Sequence, residues 1–239
     1  MPSELVAANL TAVRARLERA ALAAGRSPTA IRLIAVSKTF PLDHIRAAAA
    51  AGQADFGENR VQEALQKIDA SADLKIRWHL IGHLQSNKAR RAATAFQCIH
   101  SIDSLDLLRR VDRAAAEAGA APELLVQVDL ASEATKFGLV EAGVRALFET
   151  DLQAARLTGL MVLPPWTDNP EEARPWFRRL RELRDRLEAG GAPPARLREL
   201  SMGMSHDFEV AVQEGSTMVR VGTAIFGERR RDAGTENRQ

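Results

Sequence analysis

Arg32-Leu33-Ile34-Ala35-Val36-Ser37-Lys38 is a short apolar run with branched side chains that closes on a lysine. Runs of this length, bounded by polar or turn-forming residues, read as strands buried on both faces, the kind that build parallel sheets. Seven more follow it: Ala54–Gly57, Ile76–Ile81, Cys98–Ile102, Leu124–Val128, Arg156–Leu163, Glu199–Met202 and Met218–Val221. Between them lie stretches with helical spacing, among them Leu42–Ala51, Val61–Ala70, Asn87–Ala95, Leu105–Ala118 and Glu171–Ala189. In the last of these, Trp176, Leu180, Leu183 and Leu187 recur at intervals of three and four and share one helical face. Eight strands alternating with helices predict an α/β fold, a single (β/α)8 TIM-type barrel. An open doubly wound sheet competes, but it usually has fewer strands and a Gly-rich turn after the first. Ala35-Val36-Ser37-Lys38-Thr39 occupies that place here.

An extra helix, Leu5–Ala24, precedes the first strand and ends at Gly25. Its stripe of Leu5, Leu10, Val13 and Leu17 is expected to cap the barrel bottom. The 239 residues suit one domain over 1–228, with a polar, flexible tail over 229–239. Hydrophobic residues make up 46% of the chain and charged residues 27%, enough to bury a substantial core. The net charge of +2, from 33 basic against 31 acidic residues, offers no basic patch and argues against nucleic acid as a partner. The lone Cys98 forms no internal disulfide, and the N-terminal stretch lacks a signal-peptide pattern, so the chain is read as cytoplasmic. No apolar run reaches the length of a membrane span. No helix is unusually apolar on its surface, which favours a monomer.

In a barrel of this type the working residues stand where strands end and the following loops begin. Lys38 is at such an end. Partial burial there lowers an amine's pKa and frees it to form an imine, although a strand-end lysine more commonly points into water. A complementary half lies near the other end of the chain, at Leu200–Ser205 and Val219–Ala224, the expected ends of strands seven and eight. Barrels often bind phosphate at that place, on loop N–H groups and a short helix N-terminus. Gly222 permits close backbone approach, and the Ser201 and Thr223 hydroxyls are donors. Two tight turns that need small residues account for the same pattern on its own.

Longer stretches carry more. Ala35–Thr39, Phe56-Gly57-Glu58-Asn59 with Val61-Gln62-Glu63, and Trp78–Gly82 with Leu84–Lys88 come first. Gly159-Leu160-Met161, Ser201–Ser205 with Asp207, and Gly215–Gly227 follow in order. In these motifs, which run from strand one to strand eight, the chain resembles the pyridoxal phosphate homeostasis proteins, whose barrel is related to the N-terminal domain of alanine racemases. The resemblance implies that Lys38 forms an internal aldimine with pyridoxal 5′-phosphate (PLP) and that Asn59 lies beside the cofactor. It implies that Ser201, Gly222 and Thr223 hold the phosphate, and that Arg220 reaches the pyridine nitrogen. Met202 belongs to the same set of cofactor-binding residues. Two positions depart from the pattern: Arg60 stands where tyrosine is common and Asp129 where asparagine is, which affects local loop contacts. Glu133, Lys136 and Gly138 match, and Lys136 is a secondary amine near the mouth.

The remaining candidates read more simply. His79 and His83 straddle a strand end, a poor arrangement for a zinc pair, and His79 is placed in the pocket lining. Cys98 packs as a small hydrophobe, and the arginines of 178–186 form a solvated face. The expected function is a PLP carrier or buffer without turnover, with apo PLP-enzymes as possible recipients. The alternative is a racemase-like enzyme. Such racemases take a second acid–base tyrosine from an added domain, and this chain contains no tyrosine.

Overall fold

The computed structural model describes residues 2–131 and 137–228. Eight parallel strands close into a barrel: β1 Arg32–Val36, β2 Asp55–Glu58, β3 Arg77–Leu80, β4 Cys98–Ile102, β5 Glu123–Asp129, β6 Arg156–Met161, β7 Glu199–Met204 and β8 Met218–Val221. Neighbours in sequence pair in space, β1 also pairs β8 with Ile34 opposite Arg220, and β4 pairs β5 with Ile99 opposite Leu124. A two-residue strand, Leu139–Val140, pairs in parallel with the last two residues of β5. The predicted strands are all present; Cys98–Ile102 and Met218–Val221 match at both ends, and the others are shifted at one or both ends by one or two residues. β1 stops at Val36 because the chain turns sharply at Lys38 and Thr39, while β7 runs on to Met204.

The helices are α1 Pro2–Ala23, α2 Leu42–Ala50, α3 Val61–Ala70, α4 Ala89–Ala95, α5 Leu105–Ala118, α6 Glu141–Phe148, α7 Arg174–Ala189, α8 Phe208–Gln213 and α9 Thr223–Phe226. α5 shows how local chemistry sets the bounds. Ser104 Oγ accepts the Leu107 N–H at its start, and Gly119 ends it in the left-handed conformation at φ 65°. Between these caps, Leu107, Leu108, Val111 and Ala115 face the sheet, buried. α7 begins later than its spacing predicts, after a 3-10 turn at Pro170–Ala173, so that Phe177 rather than Trp176 leads the buried stripe.

α1 does not cap the barrel bottom. It lies on the flank against α2, α8 and α9, because α9 is a single turn and leaves the eighth place in the helical ring open. Val6, Leu10, Val13 and Leu17 are buried there, and Leu5 is exposed. Arg16 fastens the helix with a bidentate pair to Glu209 at 2.8 Å and a guanidinium 4.7 Å from the Phe208 ring centre. Asn9 Nδ2 donates to the Ile225 carbonyl at 2.9 Å. The arginines of α7 are likewise more than a solvated face. Arg174, Arg178 and Arg181 converge on the buried Glu214 at 3.0–3.1 Å, and Arg179 and Arg186 reach Glu141.

The apolar core has two parts. The larger fills the layer between strands and helices. The smaller, inside the barrel, joins Ile34, Cys98, Leu125, Met161 and Met218 from five strands. Cys98 therefore packs as a small hydrophobe, and burial pushes its thiol pKa well up. The rest of the barrel interior is polar, and that region leads to the site.

Candidate functional site at the barrel mouth

The C-terminal ends of all eight strands open on one mouth, and half-buried Lys38 stands just past the end of β1. The turn that carries it is held on both sides. Thr39 has φ 67°, the only positive value at a non-glycine among the described residues, a conformation that costs a β-branched residue about 1–2 kcal/mol. Its N–H donates to Glu63 Oε1 at 2.8 Å, while Lys67 Nζ donates to the Ser37 carbonyl at 2.9 Å. Glu63 and Lys67 sit one turn apart on α3 and pair at 2.8 Å. Lys67 also reaches Glu58 at 2.8 Å, and Glu58 accepts the Ser37 hydroxyl at 2.6 Å. Burial pushes the Glu58 carboxyl above its ordinary range against the pull of Lys67 and Ser37. At Glu63 burial acts the same way but is outweighed by Lys67 and the Thr39 N–H, so its pKa is lowered. The peptides flanking Lys38 are thus clamped from α3, which fixes the direction in which the lysine leaves the backbone.

Asn59 follows β2, half-buried, under Gly82, where any Cβ would collide with the Asn59 carbonyl. Across the mouth, Gly222 ends β8 and the exposed Thr223 opens α9. A Cβ on Gly222 would lie 3.3 Å from both Cβ and carbonyl oxygen of Val36, so the turn and the end of β1 are in contact. The N–H groups of Gly222 and Ala224 both point at Ser205 Oγ, at 3.1 and 3.4 Å. Asp207 holds the bend that presents Ser205 by accepting the Met204 N–H at 2.6 Å. Its carboxyl is raised by burial, against that bond and the charge of Arg220. Converging N–H groups and a hydroxyl at a helix start suit an anion.

The structure does not bring Ser201 or Met202 to this turn. Ser201 Oγ lies inside the barrel between Arg220 Nη1 at 2.5 Å and His100 Nδ1 at 2.8 Å. Met202, the next residue on the strand, points the opposite way into the outer core. The hydroxyl at the α9 turn is Ser205, which was not among the sequence candidates. The motif offered two serines, and only their distance from the strand end separates them.

Arg220 is 3% exposed and also donates from Nη2 to the Val162 carbonyl at 2.9 Å. Burial pushes its guanidinium down to about 10, partly opposed by Asp207, so it stays charged at neutral pH. Deeper in, His100 Nε2 and His79 Nδ1 are 3.0 Å apart, and His79 Nε2 lies 2.9 Å from Asp55 Oδ1. Cys98 adjoins the two histidines, all three buried, but every ring nitrogen already has a hydrogen-bond partner. His79 thus belongs to the barrel interior. His83 sits at the rim, 3.2 Å from Asp103 and stacked on Phe137 at 3.7 Å. Arg60 is exposed, and Asp129 Oδ1 accepts the Ala131 N–H at 3.1 Å. Glu133, Lys136 and the 229–239 tail lie outside the described residues.

Burial lowers the pKa of both histidines, that of His100 well below 6.5, while Asp55 partly opposes the shift at His79. The folded chain keeps them neutral where the unfolded chain takes up protons, so this stability is complete above pH 6.5 and is lost as pH falls toward the folded values. The urea midpoint should therefore drop below pH 6.5, with a limiting slope of about 1.4 kcal/mol per pH unit for each histidine. His100→Gln should reduce the slope. An unchanged midpoint between pH 7.5 and pH 5 (about one unit above to more than one below the ordinary histidine value) would contradict a neutral pair.

Comparison with known proteins agrees with this architecture. Residues 8–230 match the family model for the alanine racemase N-terminal domain. The pyridoxal phosphate homeostasis protein of Pseudomonas aeruginosa is 45% identical over 227 residues, covering 94% of this chain and 96% of its own. That of Aquifex aeolicus is 42% identical over 223 residues, covering 92% and 97%. The structure of PipY from Synechococcus elongatus PCC7942 with PLP bound is 44% identical and superposes with a TM-score of 0.83 over 93% of this chain and all of that one. With identity of this order along nearly the whole of both chains, the chain belongs to the family of pyridoxal phosphate homeostasis proteins.

Proposed function

We propose that the chain binds PLP as a Schiff base on Lys38 and serves PLP homeostasis as a carrier or buffer, without turnover of its own. The observation that carries this reading is the contact between Val36 and Gly222, which sets the Lys38 turn beside the α9 donors. The groups present fit the cofactor. PLP, when bound, offers an aldehyde, an accepting ring nitrogen and a phosphate. Lys38 supplies the amine, and the Ser205 and Thr223 hydroxyls supply phosphate donors, joined by the Gly222 and Ala224 N–H groups when an anion takes the place of Ser205 Oγ as their acceptor. We assign the phosphate hydroxyl to Ser205, which stands at the α9 turn, in preference to Ser201, which lies inside the barrel between Arg220 and His100. Asn59 remains beside the cofactor in this reading, and Arg220 donates to the ring nitrogen.

Arg220 has donors only, so a nitrogen it holds must accept and stay unprotonated, which leaves the ring a weak electron sink. The absence of tyrosine removes the racemases' usual second acid–base group. PLP bound in PipY supports the binding half of the reading. The recipients we propose are apo PLP-enzymes, served by a monomer.

The test is a spectrum of the purified holo protein before and after borohydride, then incubation with L-alanine and other amino acids in deuterated water. An imine band and no appreciable α-proton exchange are expected. Exchange or D-enantiomer formation at about 1 s⁻¹ or faster would establish the racemase-like alternative.

A further inference from the structure

Arg220, Ser201, His100, His79 and Asp55 come from five strands, β8, β7, β4, β3 and β2, and form one unbroken line of hydrogen bonds across the barrel interior. We propose that Asp55, His79, His100 and Ser201 are positioning residues, which hold Arg220 as a fixed donor toward the cofactor ring nitrogen through a hydrogen-bond chain directed by its two ends. The proposal rests on the PLP reading above and extends it to four side chains that reading leaves unused.

The direction follows from what each group can do. A guanidinium only donates and a carboxylate only accepts, so neither end can be reversed. Arg220 Nη1 donates to Ser201 Oγ at 2.5 Å, which leaves the serine proton for His100 Nδ1 at 2.8 Å. His100 then carries its hydrogen on Nε2 and donates to His79 Nδ1 at 3.0 Å. His79 carries its hydrogen on Nε2 and donates to Asp55 Oδ1 at 2.9 Å. All four links point the same way, and both imidazoles are required in the same neutral tautomer. A cationic ring breaks the sequence, because one of its N–H groups then faces another donor.

Position gives the chain its leverage. Arg220, Ser201, His100 and His79 are all buried, where aligned hydrogen bonds strengthen one another and an unmatched group is expensive. Asp55 is held at the base by Arg32 at 3.8 Å and Arg77 at 3.4 Å. The guanidinium is therefore located by the Val162 carbonyl on one side and by a line anchored at the far end of the barrel on the other.

Two measurements test this. In the apo protein, long-range ¹H–¹⁵N correlations of labelled histidine should show His79 and His100 as neutral Nε2–H tautomers at pH 7.5. Either ring as the Nδ1–H form, a mixture or a cation overturns the chain, whatever the protein binds. In the holo protein loaded with ring-¹⁵N PLP, Ser201→Ala should shift the ring-nitrogen resonance and speed PLP release about tenfold, as expected for one bond to a charged group. Asp55→Leu, three bonds beyond Ser201, should shift the resonance in the same sense by a smaller amount. Asp55→Asn keeps an accepting oxygen and should restore it. A resonance that moves in Ser201→Ala but not in Asp55→Leu overturns the proposed transmission. Should Asp55→Leu not fold, the apo tautomers and Ser201→Ala decide the matter. Failure of the wild type to bind PLP would sink the functional reading while leaving the tautomer result intact.

Discussion

Lys38→Ala is expected to abolish covalent PLP attachment, with complete loss of the imine band and of the borohydride-fixed adduct. Peptide mapping of the reduced wild type should place that adduct on the segment containing Lys38. The fold should survive, since the bonds that shape this turn use the backbone of Ser37 and Thr39 and the side chains of Glu58, Glu63 and Lys67. Lys67 is a poor substitute because its amine is already tied to the Ser37 carbonyl and two carboxylates. PLP held by the phosphate donors and Arg220 alone should dissociate at least about a hundredfold faster, a difference of about 2.7 kcal/mol. A variant that keeps a normal imine spectrum would relocate the site, and Lys136 would be the first residue to map.

Gly222→Val should produce the second large loss. Even a Cβ at this position presses on Val36 at 3.3 Å, and two further methyl groups should push the turn and its N–H donors away from the end of β1. PLP affinity is expected to fall about a hundredfold while pyridoxal affinity changes little, because the injury is confined to the phosphate. Overpacking should lower stability by about 1–3 kcal/mol, which a urea titration can read separately. Equal losses for PLP and pyridoxal would argue that this turn holds no phosphate.

The strand runs and their count made the barrel readable, since alternation and length are local properties of a sequence. The positions of Lys38 and the Gly222–Thr223 turn at the barrel mouth were readable for the same reason, each standing at the end of an apolar run. The places of Ser201 and Ser205 were not. Whether a strand-end side chain faces the barrel axis or the loop above depends on where the strand stops, and β7 runs two residues beyond its predicted end. The histidine chain was invisible because its members come from different strands and meet only when the barrel closes. The placement of α1 failed for a related reason. An amphipathic stripe shows that a helix is covered, and the one-turn length of α9 decided where.

That placement ties the beginning of the chain to its end. Residue 9 bonds to residue 225, and residue 16 to residue 209. During synthesis α1 and α2 emerge well before α8 and α9, so the part of the α1 stripe that the later helices cover waits for about 160 residues of further chain. Contacts of such long sequence separation form late and slowly. Until α8 and α9 emerge, α2 alone covers the stripe and the rest of it stays sticky, so truncation within residues 208–226 should leave a chain that chaperones and proteases recognise.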